Sequence, residues 1–165
     1  MTTSLAEGQT IGGRYIVQCL LGTGGMAAVY HAFDIQLDLD VALKVLTKDL
    51  ASDPNFVARF RREGRMMAQL SHPHVLRFYT NGQDPATGLY YLVLEYLTGG
   101  TLRDQLQGRP WSLDRALPML TTVANALDYA HTRVPPVVHR DLKPANILFD
   151  VHNRGWSPIL AWRAW

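Results

Sequence analysis

A chain of 165 residues, 47% hydrophobic and 18% charged, is long enough to bury a core as one domain and too apolar for disorder. Sixteen Lys and Arg against 14 Asp and Glu leave a formal charge of +2, which offers no basic footprint for nucleic acid. The single cysteine, Cys19, excludes an internal disulfide framework, fits a reducing compartment, and reads as a small half-buried strand residue rather than a reactive thiol.

Residues 1–12 are polar and Gly-containing, a loose lead-in with no apolar signal segment, and the expected location is the cytoplasm. Strand-like runs at 15–20 and 28–33 flank Gly22-Thr23-Gly24-Gly25, which predicts an antiparallel hairpin. Glycines let a backbone approach a ligand closely and turn N–H groups toward phosphate, although glycine turns are also common without any ligand. A dinucleotide-binding fold would need a helix after the glycines, and here Ala28-Val29-Tyr30 continues as strand. Residues 41–46 form a third strand, with Lys44 among Val, Ala and Leu, where an edge lysine facing solvent is the plain reading.

Asp53-Pro54 predicts a helix start, Asp as N-cap and Pro at the first position, with the helix running to about residue 70. Phe56, Phe60, Met67 and Leu70 make its apolar stripe, and Glu63 falls within it. A carboxylate there is costly unless paired, and Lys44 is the obvious partner. Arg59, Arg61, Arg62 and Arg65 on the same helix read as a solvated face. His72 and His74 flank Pro73, which stops the helix; a metal role for them is the less favoured reading.

Strands are expected at 75–79 and 89–96, and the second is interrupted by Glu95 and too short to cross a bilayer. After Thr98-Gly99-Gly100 come a short helix at 101–107 and a longer one at 112–131. The long helix should bury Ala116, Leu120, Val123, Leu127 and Ala130, with Pro118 bending or weakening its first turns. Pro135-Pro136 opens an irregular segment.

That segment carries Val138-His139-Arg140-Asp141-Leu142-Lys143-Pro144-Ala145-Asn146-Ile147-Leu148, a run that resembles the catalytic loop of the eukaryotic-type serine/threonine protein kinases, including bacterial ones. Earlier elements stand in that family's order: the glycine loop over 22–29, Val41-Ala42-Leu43-Lys44, Glu63 in the following helix, and Leu94-Glu95-Tyr96-Leu97 as the hinge. The resemblance covers residues 11 to about 150. It implies an α+β kinase-like fold, with an antiparallel-sheet small lobe and hinge over 13–97. Residues 98–150 would be a partial helical large lobe with the catalytic loop, and 151–165 an atypical tail.

The resemblance also implies roles. Gly22, Thr23, Gly24, Gly25, Val29 and Ala42 would surround ATP, with Ala27 standing where the third glycine is expected. Lys44 would hold the α- and β-phosphates and Glu63 would hold Lys44, while the backbone of Glu95 and Leu97 would bond adenine. Asp141 would accept the proton of a protein Ser or Thr hydroxyl, Lys143 would neutralise the transferring phosphoryl group, and Asn146 would hold Mg²⁺. His139 would be a packing residue, and Arg140 would pair with a phosphorylated activation loop.

The pattern then stops. No Asp-Phe-Gly follows, the second Mg²⁺ ligand is missing, and three of four tryptophans (Trp156, Trp162, Trp165) fall in the last ten residues. If Trp156 to Arg163 are encoded TGG-TCN-CCG-ATT-TTG-GCN-TGG-CGC, the frame two bases on reads NCC-GAT-TTT-GGC-NTG-GCG, which contains Asp-Phe-Gly at the expected distance. A frameshift between about residues 150 and 155 is the expectation, and a naturally divergent C-terminus the other reading. A truncated kinase domain would leave apolar surface exposed on the 112–131 helix and lose most or all turnover. The alternative is a non-catalytic remnant that binds nucleotide or a partner.

Overall fold

The computed structural model describes residues 5–150 and 157–161. They fall into two compact units. The first holds the residues up to Ala68 together with Phe78–Tyr96, and the second holds Gln69–Arg77 and the residues from Leu97 onward.

The first unit is built on a six-stranded antiparallel sheet. Its strands are β1 (Thr10–Ile11), β2 (Tyr15–Thr23), β3 (Ala27–Asp34), β4 (Leu39–Leu46), β5 (Phe78–Gln83) and β6 (Tyr90–Glu95), in the order β1-β2-β3-β4-β6-β5. Strand periodicity divides β3 and β4 between two faces. Ala28, Tyr30, Ala32, Val41, Leu43 and Val45 face one core, with Tyr15, Val17, Tyr91 and Val93. Ala27 and Leu46 face another, with Phe60 and Leu92. Being covered on both sides, β4 reads as a nearly continuous apolar run, which is what made it legible.

The short helix α1 (Lys48–Ala51) precedes α2 (Pro54–Met67), whose N-cap Asp53 accepts a hydrogen bond from the Asn55 N–H at 2.8 Å. Phe60, Glu63, Gly64 and Met67 are its buried face. Gly64 lets the helix approach the sheet: a Cβ there would lie 2.9 Å from Leu92 Cδ2 and 3.3 Å from Asn81 Nδ2. The helix ends at Met67, short of the expected 70.

Cys19 faces solvent rather than being half-buried. The far half of β2 lies beyond the reach of β1, which pairs only with Tyr15 and Ile16, and bulges follow at Val17/Cys19 and Leu20/Gly22. The strand expected at 75–79 begins instead at Phe78, because Val75 and Leu76 are taken up in the second unit. There Val75 bridges Leu160 and the Leu76 N–H donates to the Leu160 carbonyl at 3.0 Å.

The second unit contains α3 (Leu102–Leu106), α4 (Leu113–His131), a 3₁₀ turn at Pro144–Asn146, and the hairpin of β7 (Ile147–Asp150) with β8 (Ser157–Leu160). Thr101 and Asp104 cap α3 reciprocally. Gly99 permits close passage of the chain: its N–H donates to the Phe149 carbonyl, and a Cβ would lie 2.8 Å from that of Phe149. Ile159 and Leu160 are wholly buried and α4 packs on β8.

The buried residues of α4 are Val123, Ala126 and Ala130, which corrects the expected stripe. Leu120 is 53% exposed, and Ala116 and Leu127 are half-buried. These buried positions all fall in the C-terminal half of the helix. The helix runs unbroken through Pro118. In the 151–165 tail, the described residues 157–161 carry β8, while 151–156 and 162–165 lie outside the described residues, and with them all three clustered tryptophans.

Candidate functional site

In the first unit the hairpin register sets Gly22 opposite Val29 and Thr23 opposite Ala28, and the turn closes with the Gly24 N–H donating to the Ala27 carbonyl at 2.8 Å. A Cβ added at Gly22 or Gly25 would meet nothing within 4 Å, so packing inside the chain does not require glycine at either position. The space beside this turn is open to a ligand. The Ala27 methyl packs instead with Leu46, Phe60 and Leu92, a core position that explains its departure from glycine.

Val29 pairs with Lys44, and strand alternation puts Ala42 on the same face. The Lys44 ammonium reaches Glu63 Oε1 at 2.5 Å, with the two side chains 14% and 5% exposed. Each charge makes burial of the other tolerable; removing one partner of such a pair costs about 3–5 kcal/mol. Glu95 closes β6, buried and opposite Val41 in the ladder.

Two further residues at this end of the sheet, His31 and Asp40, carry no motif in the sequence, and they meet Tyr96 of the 94–97 run. The His31 ring stacks on Tyr96, with centroids 4.2 Å apart and planes 12° from parallel. His31 Nε2 lies 2.7 Å from Asp40 Oδ1. They come from β3, β4 and the residue after β6, so no local spacing could have joined them.

The second unit assembles residues of the 138–148 run around one oxygen. Asp141 Oδ2 accepts from Lys143 Nζ at 2.9 Å and from Asn146 Nδ2 at 2.9 Å, and the same amide donates to the Asp141 backbone carbonyl at 2.7 Å. Arg140, just before, adopts φ 62°, a left-handed turn that is unusual for a side chain larger than glycine. Asn146 is buried at the end of the 3₁₀ turn, and its carbonyl accepts from the Ala161 N–H at 2.9 Å.

His139 is buried, and its Nε2 donates to the Ala161 carbonyl at 2.9 Å while Nδ1 accepts from the Asp141 N–H at 3.3 Å. Burial pulls its imidazole below the ordinary histidine value, against the opposing pull of that carbonyl and of Asp141, and favours the neutral ring that both contacts use. His139 thus ties the loop to Ala161, the residue that follows β8, which is a packing role. Leu97 is half-buried at the start of this unit's main segment.

His72 and His74 serve local structure. The His74 N–H donates to His72 Nδ1, His74 Nδ1 contacts the Pro158 carbonyl at 3.1 Å, and His72 lies against the Tyr129 ring. Among the described residues, no group of three or more His, Cys, Asp or Glu is gathered to hold a metal ion. At Asn146 the NH₂ is engaged by Asp141, and its Oδ1 is the atom suited to a hard cation.

The model of the protein kinase domain matches residues 15–157. The chain is 45% identical over 147 residues to a probable serine/threonine-protein kinase of Streptomyces coelicolor, 41% over 144 to the kinase PrkC of Bacillus subtilis, and 43% over 143 to PknB of Mycobacterium tuberculosis. These alignments cover 87%, 87% and 85% of this chain but 22% of each relative, so the chain spans about a fifth of their length. The solved kinase domain of Mycobacterium tuberculosis PknI superposes with a TM-score of 0.77 at 33% identity, covering 96% of this chain and 62% of that one.

Proposed function

Because this chain belongs to the protein kinase domain family, we propose that it binds ATP and carries the residues that direct phosphoryl transfer to Ser or Thr hydroxyls of a protein. The observation that carries this reading is the junction at Asp141 Oδ2, where an ammonium and an amide orient one carboxylate. A carboxylate so held can accept a hydroxyl proton as the oxygen attacks, and Lys143 beside it offsets charge on the phosphoryl group in transit.

In the first unit, Lys44 would bind the α- and β-phosphates, kept in place by Glu63. The backbone of the glycine turn would cover those phosphates, and Val29 and Ala42 would line the adenine, which the backbone of Glu95 would bond. Mg²⁺, when carried in on the phosphates, would supply charge neutralisation, with Asn146 Oδ1 as one protein ligand. The family's second ligand, the Asp of Asp-Phe-Gly, has no counterpart in the sequence, and turnover is expected to fall by orders of magnitude. That absence favours a nucleotide-binding remnant as the second reading. The cytoplasm is the compartment we propose; no described helix is long and apolar enough to cross a membrane.

Two measurements on the full chain test this. ADP should bind, and Lys44→Met should weaken binding by at least about tenfold, the worth of one charge-assisted contact. Any γ-phosphate transfer to a Ser/Thr-containing protein should disappear in Asp141→Asn. Binding without transfer selects the remnant; failure to bind ADP, or transfer indifferent to Asp141→Asn, overturns the proposal.

A further inference from the structure

We infer that His31, oriented by Asp40, is a positioning residue for adenine recognition: its ring holds Tyr96 and so fixes the backbone where the chain leaves β6 at Glu95. This rests on the reading that the Glu95 backbone bonds adenine. In the sheet, β4 lies between β3 and β6, and Glu95 makes the last described rung with Val41. Among the described residues Tyr96 makes no rung of the sheet, and strand ends of this kind fray most readily.

The His31–Tyr96 stack supplies a hold from two strands away, across β4. His31 stands opposite Cys19 and Ala42 in register, on the face that carries Val29 and Lys44. Asp40 lies two residues before Ala42 and therefore on that same face, where its Oδ1 meets His31 Nε2 at 2.7 Å. The imidazole is thereby restrained at one nitrogen while its face is covered by the phenol ring, 12° from parallel. Tyr96 itself is kept neutral: burial raises its phenol above the ordinary value, with nearby Cys19 and Asp40 adding to the rise.

A packing role alone would affect every ligand through stability, whereas a positioning role affects the base and spares the phosphates. The discriminating experiment is calorimetric titration of the full chain with adenosine and, separately, with inorganic tripolyphosphate. His31→Leu should weaken adenosine about tenfold and leave tripolyphosphate within twofold. His31→Phe, which keeps a ring over Tyr96 without the contact to Asp40, should recover most of the loss. Asp40→Asn should give a smaller weakening of adenosine alone.

Unchanged adenosine affinity in His31→Leu, or equal losses for both ligands, overturns the inference while leaving the Glu95 reading in place. Wild-type chain that binds tripolyphosphate but not adenosine removes the Glu95 reading, and the inference with it. If His31→Leu does not fold, Tyr96→Leu takes its place with the same expected split, and Asp40→Asn, at a half-exposed carboxylate, remains readable.

Discussion

Asp34 shows how one buried carboxylate can organise the end of a hairpin. Its two oxygens take Nε and Nη2 of Arg14, each at 2.7 Å, and Oδ1 also accepts from the backbone N–H groups of Gln36 and Leu37. The Arg14 hydrogen bonds hold its carboxyl below the usual 3.8, against the upward push of burial. A carboxyl depressed in the folded state contributes stability that is complete above its unfolded value and is lost as pH falls through the lower folded one. Asp34→Asn should therefore lower the thermal midpoint at pH 7 by roughly 5 °C. The gap should shrink as pH drops below about 3.8 and close once both forms are protonated. Circular dichroism melts across that range read it directly. A gap that widened toward acid would contradict the assignment.

At the scale of elements, the seating of α2 decides whether Glu63 meets Lys44, and Gly64 is the residue that permits it. The neighbouring Leu92 is wholly buried and has little room to move. Gly64→Val should cost about 1–3 kcal/mol through overpacking, which outweighs the roughly 0.5 kcal/mol gained in helix propensity. A lowered thermal midpoint, with weaker ADP binding because Glu63 is carried outward, is the expected outcome; an unchanged midpoint would show the helix tolerates displacement.

The start of α2 was legible because Asp53-Pro54 is a local signal, and the Lys44–Glu63 pair because a charge inside an apolar stripe demands a partner. What escaped the sequence depends on distant chain. Leu70, Val75 and Leu76 look like helix and strand continuations, yet they are buried in a different unit from α2 and β5, Val75 and Leu76 against Leu160. The α4 stripe was read from period alone, and period cannot say which half of a helix has a neighbour. His31, Asp40 and Tyr96 meet across strands, where no spacing rule reaches.

Over the whole molecule, Leu113, Leu117 and Leu120 stand 74%, 56% and 53% exposed at successive turns of α4. The matched solved domain is longer, and this chain covers 62% of it. An apolar stripe of this kind favours association. Sedimentation velocity should show a mass average that rises with concentration, and the double substitution Leu117→Lys, Leu120→Lys should return the chain to monomer. A concentration-independent monomer before substitution would sink the expectation.

The position of β8 has a consequence for how the chain matures during translation. Leu160 exchanges backbone hydrogen bonds with His74 and Leu76, and Ala161 is tied to His139 and Asn146. Every strand of the six-stranded sheet, by contrast, lies before residue 96. As synthesis proceeds from the N-terminus, the sheet with Lys44 and Glu63 can close early. The loop bearing Asp141 lacks its bonds to Ala161 until residues 157–161 emerge. A ribosome that pauses between those points would hold a chain with the Lys44–Glu63 pair already in place and the Asp141 loop without its bonds to Ala161.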